Sequence, residues 1–162
     1  MIDTLILEIY KILKLCQNNL ESNISVCAVG GYGRKILAPF SDLDILFIYN
    51  EKFEKKEIEN IVQFLLFPLW DLGFKIGYAV RNPDESVGFS KQDHIIQTSM
   101  LDARRICGSK KLFNYVMKRF EKDISRSGFN LLKEKILERK KRLIELSYDY
   151  FRNEPNLKEN EG

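Results

Sequence analysis

Apolar residues between Ile2 and Leu20 recur at three- and four-residue spacing, at Leu5, Ile6, Ile9, Ile12, Leu13 and Cys16, with Asp3 placed as an N-cap. That pattern predicts an amphipathic helix. A β-rich run from Ile24 to Val29 is broken by Gly30-Gly31, and a second, Leu43 to Tyr49, follows Pro39 and the Ser41-Asp42 pair. The two read as strands flanking a glycine turn. From Lys55 to Leu72 the stripe Ile58, Ile61, Val62, Leu65, Leu66 and Leu69 predicts a buried helix that ends at Gly73. Pro68 lacks an amide and crowds the carbonyl of Phe64, so a kink is expected there. Phe74 to Arg81 predicts a third strand, closed by the Asn82-Pro83 turn signal. Every later pattern is helical: Asp93 caps a helix to about Ile106, Gly108 breaks it, and Ser109–Phe120 and Asn130–Phe151 supply two more. Arg152 to Gly162 is polar and stripe-free.

With no repeat or low-complexity tract, this layout is α+β: a small sheet with helices beside it and a C-terminal helical extension. The expected boundaries are a core over 1–108, the extension over 109–152 and a polar tail over 153–162. The 162 residues, 44% hydrophobic and 30% charged with nine Gly and four Pro, fit one globular domain and exclude disordered, collagen-like and multi-domain chains. A net charge of +3 is too small to argue for a nucleic-acid or membrane partner, and neither is expected. Cys16, Cys27 and Cys107 are too few and scattered for a disulfide framework or a CxxC motif, and they suit a reducing cytosol. The runs Ile45–Tyr49 and Phe64–Trp70 fall short of the roughly 20 residues of a membrane span. Met1 to Leu5 lacks the basic start and cleavage site of a signal peptide, so a cytoplasmic location is expected.

The chemistry concentrates in Val29-Gly30-Gly31-Tyr32-Gly33-Arg34 and, shortly after, Ser41-Asp42-Leu43-Asp44-Ile45. Residues two apart on a strand face the same side, so Asp42 and Asp44 present two carboxylates together. Like charges so placed are unfavourable without a cation, and hard oxygen ligands suit Mg²⁺, which takes one or two carboxylates and completes its shell with water and phosphates. At Gly30 and Gly31 the missing side chains let backbone amides approach a phosphate, and a short helix from about Tyr32 would aim its N-terminus at the same anion. Other phosphate loops do not fit. Gly31-Tyr32-Gly33 lacks the third glycine of a dinucleotide fingerprint, and the chain has no GxxxxGK[ST].

Strand, GG, short helix and D-x-D on the neighbouring strand, over about residues 26–48, resemble the signature of the polymerase β-like nucleotidyltransferase superfamily. The resemblance implies that superfamily's fold, a small mixed sheet with flanking helices. The likeness narrows over Ala28–Arg34, Leu37–Asp44, Leu69-Trp70-Asp71-Leu72-Gly73, Val80-Arg81 and Leu101-Asp102-Ala103-Arg104. These segments resemble the bifunctional uridylyltransferase and uridylyl-removing enzymes that modify the PII nitrogen-signalling protein. Glu154-Pro155-Asn156-Leu157-Lys158-Glu159 is similar to that family's segment just beyond its transferase domain.

The resemblance implies that UTP lies with its β- and γ-phosphates near Gly30, Gly31 and Ser41, and that Asp42 and Asp44 hold Mg²⁺ against the α-phosphate. It further implies that a tyrosine of PII attacks and pyrophosphate leaves. Arg81 is a candidate phosphate contact, with a capping or ion-pair role as the alternative. Two departures stand out. Many superfamily members carry a third carboxylate on the next strand, where Lys75–Arg81 has no acid; Asp71, Asp84 and Asp102 are unranked substitutes. The second is length: the only histidine is His94, so the family's uridylyl-removing domain and its ACT domains are not expected in this chain. A truncated form is therefore expected, either a piece of a longer protein or the product of a shortened gene. Alternative readings are an inactive remnant and a re-purposed minimal nucleotidyltransferase with another acceptor.

Other features take plainer roles. Arg139-Lys140-Lys141-Arg142 reads as the solvated face of a helix whose stripe is Leu132, Ile136, Leu143 and Leu146. Asp102 is expected to pair with Arg104, Arg105 or a backbone amide. Cys16 and Cys27 read as small core residues, His94 as structural or surface, and Phe64, Phe67 and Trp70 as core.

Overall fold

The β-rich runs become strands of one mixed sheet in the computed structural model, which describes residues 2–17, 20–37, 41–51 and 53–148, with backbone alone at 126–135, 138, 139 and 142–148. In chain order the elements are α1 (Ile2–Cys16), α2 (Leu20–Asn23), β1 (Ile24–Ala28), α3 (Gly30–Gly33), β2 (Leu43–Tyr49) and α4 (Lys55–Asp71), then β3 (Ile76–Arg81), α5 (Pro83–Gln92), α6 (His94–Leu101), β4 (Arg104–Gly108) and α7 (Lys110–Tyr148). Two compact units divide the chain, Met1–Phe120 and Glu121–Gly162; the first holds every strand and α1–α6. Among the described residues, no helix is long and apolar enough to cross a membrane.

The strand order is β3-β2-β1-β4. β1 runs antiparallel to β2 and β4, whereas β2 and β3 are parallel. Side chains alternate across a sheet, and the buried residues sort accordingly. Ile24, Val26 and Ala28 of β1 and Leu43, Ile45 and Phe47 of β2 share a core with Ile6, Ile9 and Leu13 of α1 and Ile58, Ile61, Leu65 and Leu69 of α4. The alternate positions Cys27, Leu46 and Ile48 are buried as well, as are Val87 of α5 and Met100 of α6. Both faces of β1 and β2 are covered, which is why these strands read as continuous apolar runs.

Several expectations need correction. β4 falls where a helix reaching Ile106 was expected, so the chain after Arg81 is not all helix. Asn82-Pro83 opens α5 rather than closing a turn: the Asn82 side chain accepts from Glu85 N–H (2.7 Å), Glu85 Oε2 accepts from Asn82 N–H (2.9 Å), and Pro83 needs no amide at the first helical position. Asp93 does cap a helix, accepting from Ile95 N–H at 2.7 Å, but α6 stops at Leu101. α1 begins at Ile2, so Asp3 lies in its first turn, not at its cap. Pro68 sits in the last turn of an α4 that continues to Asp71, with Leu72 N–H still bonded to the Pro68 carbonyl (3.2 Å).

Phe64, Phe67 and Trp70 are not core: they are 42%, 53% and 37% exposed on the outer side of α4, where Trp70 meets Phe67 and Tyr78 edge-to-face. Cys16 is exposed, while Cys27 and Cys107 are buried. The two helices expected beyond Ser109 are one, α7, with Lys140 and Lys141 exposed. The side chains of Arg139 and Arg142, Ala38–Phe40, and the whole tail over 153–162 with its Glu154–Glu159 segment lie outside the described residues.

Candidate active site

Val29 N–H donates to the Asp44 carbonyl at 3.0 Å, carrying the β1–β2 ladder one residue past Ala28↔Ile45 before the chain leaves the sheet at Gly30. Gly30 makes that exit at φ +56°, a conformation open to glycine and strained for other residues, and a Cβ there would stand 3.2 Å from Asp44 Oδ2. On the other side β3 runs parallel to β2 with Gly77 in register with Asp44. A Cβ at Gly77 would stand 2.8 Å from Asp44 Oδ1. The Asp44 carboxylate therefore fills the space that two side chains would otherwise take.

Asp42 immediately precedes β2, and Leu43 N–H donates to the Lys75 carbonyl (2.8 Å) to fix the strand's start. Both aspartates are half-buried at this entrance. Two carboxylates two residues apart at a strand entrance are donors of the kind a divalent ion such as Mg²⁺ takes, with the rest of its shell left to water and phosphate. Among the described residues, no group of three His, Cys, Asp or Glu side chains is gathered that could hold a metal. Of the unranked acids, Asp71 is exposed at the end of α4, Asp84 pairs with Arg119 (2.5 Å) and Asp102 pairs with Arg34 (2.6 Å), not with the partners expected for it.

A cavity of about 330 Å³ opens over Asp44, with Val29, Gly77, Arg81, Ser99 and Met100 in its wall. It brings Arg81 together with Asp44. The Arg81 guanidinium lies over the Phe89 ring at 5.1 Å, and burial lowers its pKa while Glu85 and Asp93 work the other way. Arginine remains cationic through such a shift. Of the other expected site residues, Gly30 and Gly31 in the glycine turn and Ser41 and Asp42 at the β2 entrance lie outside this cavity wall. Sequence reasoning missed Ser99, whose Cβ lies 3.8 Å from where a Gly30 Cβ would be, and Gly77. An isolated glycine in a strand pattern was the available signal for Gly77.

The glycine turn is held from behind. Tyr32 Oη donates to Asp3 Oδ1 (2.7 Å), and Arg104 donates from Nη1 to Asp3 Oδ2 (2.6 Å) and from Nη2 to Asp3 Oδ1 (3.1 Å). Arg104 also reaches the Gly33 and Tyr32 carbonyls, each at 3.4 Å. Burial would raise the Asp3 carboxyl, but the bonds from Arg104 and Tyr32 outweigh it and hold the pKa below its ordinary value.

A mixed sheet with a glycine turn and an acidic strand entrance at one end defines a nucleotidyl-transferring fold. Residues 9–106 match the nucleotidyltransferase domain model, and the chain belongs to that family. Among curated proteins it is similar to the bifunctional uridylyltransferase/uridylyl-removing enzymes of Phenylobacterium zucineum (strain HLK1) and Caulobacter vibrioides, 41% identical to each over 140 residues, 86% of this chain. The enzyme of that name from Azospirillum brasilense is 40% identical over 138 residues. The chain spans about 15% of the length of these relatives. Two solved toxin–antitoxin structures, an MntA–HpeT mutant and one with AMP-PNP, align over 80% of this chain and 98% of theirs, with TM-scores of 0.45 and 0.44 at 11% and 12% identity.

Proposed function

We propose that this domain is a Mg²⁺-dependent cytoplasmic nucleotidyltransferase that moves UMP from UTP to a tyrosine of a PII-type signalling protein. The observation that carries the reading is the Asp44 carboxylate held between Gly30 and Gly77, in one cavity with the Arg81 cation. In this reading Asp42 and Asp44 hold the ion, which when bound neutralises triphosphate charge and stabilises the leaving pyrophosphate. Gly30 and Gly31 bring backbone amides to the phosphates, because the opening amides of a helix have no acceptor inside it. Ser41 adds a hydroxyl at the β2 entrance, and Arg81 places a permanent cation against the phosphate chain.

The acceptor's chemistry is consistent with what stands opposite Asp44. On β3 that position is Gly77, so no side-chain base faces the nucleophile from there. A phenol, with a pKa near ~10, needs less help in losing its proton than an aliphatic hydroxyl. The choice of UTP and of PII draws its support from the likeness to uridylyltransferases.

The test is incubation of the full chain with Mg²⁺, labelled UTP and a PII protein from the same source, with ATP and the Asp42→Asn/Asp44→Asn variant in parallel. Label on PII from UTP, lost in the variant, is the expected result. Unchanged Mg²⁺-dependent turnover in Asp44→Asn would reject the site. Transfer from ATP or to another acceptor would replace the substrate assignment, and no transfer onto a PII that an intact family enzyme modifies would mark a domain that does not turn over.

A further inference from the structure

α3 is a single turn whose Tyr32 ring is buried in the core and whose backbone is bonded to Val29 on one side and to Arg34 and Lys35 on the other. On one side its first residue, Gly30, meets Asp44; on the other, its carbonyl end faces Arg104. The Arg104 guanidinium does two jobs with one planar fork. It pairs with both oxygens of Asp3, and it donates to the carbonyls of Tyr32 and Gly33, with its Cζ 5.6 Å from the Tyr32 ring centroid. Tyr32 closes the triangle through its hydroxyl on Asp3. The three residues come from α1, α3 and β4, and Asp3 lies outside the 9–106 span that defines the family match.

We propose that Asp3, Tyr32 and Arg104 are positioning residues for catalysis, fixing the Gly30–Gly33 turn against Asp44, a role that presupposes the nucleotidyl transfer proposed above. The plainer role would be a surface staple for α1. The Asp3 and Arg104 side chains are 35% and 23% exposed and pair through two bonds, a geometry that stabilises the chain, and a staple would act through that global stability alone. A fork bonded to two successive carbonyls instead constrains one local turn, which lysine, a point charge on a flexible stem, cannot reproduce.

The experiment uses the full chain with Arg104→Lys, Asp3→Asn, their double variant, and Tyr32→Phe, which keeps the ring and drops only the hydroxyl. Three quantities are read: KM and kcat for UTP with Mg²⁺, the melting temperature, and amide hydrogen exchange across 30–34. Arg104→Lys should raise KM for UTP by about ten-fold with a smaller change in kcat, and speed exchange in the turn by a similar factor, with β2 unaffected. Asp3→Asn should add little on top of Arg104→Lys, because the two act as one unit. Tyr32→Phe should move both readouts in the same direction by less.

Unchanged KM and unchanged exchange in Arg104→Lys would overturn the assignment, as would losses that simply follow the melting temperature across all variants. If the wild-type chain transfers nothing, the transfer reading falls. The brace is then judged by exchange in the turn and by titration of Mg²⁺–UTP affinity, and an Arg104→Lys variant that matches wild type in both sinks it.

Discussion

Replacing Gly77 by Ala adds one methyl group at the point where β3 touches Asp44. The new Cβ would lie 2.8 Å from Oδ1, against the 3.4 Å at which ordinary contact begins. Two paired backbones bring these residues together, and the carboxylate is the flexible end, so it is the carboxylate that yields. A rotation that moves it by roughly half an ångström takes its χ angles off the rotamer at a cost of about 0.5–1.5 kcal/mol. Alanine is otherwise better than glycine within a strand by about 0.5–1 kcal/mol, so the two effects nearly cancel and the melting temperature should stay within about 3 °C of wild type. Function should respond far more. A misplacement of about 1 Å can cost ~10²-fold, so half of that predicts a loss of about ten-fold in Mg²⁺-dependent transfer. Transfer assays, Mn²⁺ titration and a melting curve on the same preparations read this directly. Transfer and metal affinity within about two-fold of wild type would refute the reasoning, because they would show that Asp44 need not stand where Gly77 allows it to.

Other outcomes follow from the same geometry. Asn82→Ala removes the side-chain half of the α5 capping box, the acceptor for Glu85 N–H, and should destabilise the chain by about 1 kcal/mol in urea unfolding. Burial pushes the Cys27 and Cys107 thiols up to about 12, whereas Cys16 is exposed; a thiol reagent at pH 8 should titrate one fast group in the native chain and three after denaturation. The Asp3 carboxyl lies lower in the folded state than its ordinary 3.8, so its contribution to stability is complete above that value and is lost as pH falls through the folded one. Asp3→Asn should therefore flatten the acid end of the stability–pH curve and leave its slope near neutrality unchanged.

The sequence made the local elements legible and hid the long-range pairs. Leu43–Tyr49 appears with its boundaries because burial on both faces makes it a continuous apolar run. β4 was not legible: Arg104-Arg105 occupy two of its five positions, and the charged start masks a strand whose burial comes from pairing with β1. At Asn82-Pro83-Asp84-Glu85 the same residues spell a turn and a capping box, and only the helical stretch that follows decides between them. The glycine turn and the strand entrance beside Asp42 and Asp44 could be placed because both are local features of the chain. Arg34–Asp102 and Asp3–Arg104 could not, since their partners are 68 and 101 residues apart and no periodicity reports such a contact. Gly77 carried a readable signal in its isolation, but its meaning depends on register with Asp44, which only the paired strands supply.

The position of β4 has a consequence for how the chain can be made. β1 emerges early in synthesis and all five of its residues are buried in the finished sheet, yet one of its two neighbours arrives only with Arg104–Gly108. Until then β1 is an uncovered edge of apolar backbone, the kind of template that recruits strands from other chains. Nascent chains that have not yet reached Gly108 should depend on chaperones to stay soluble, and an expressed fragment ending before Gly108 should aggregate rather than fold.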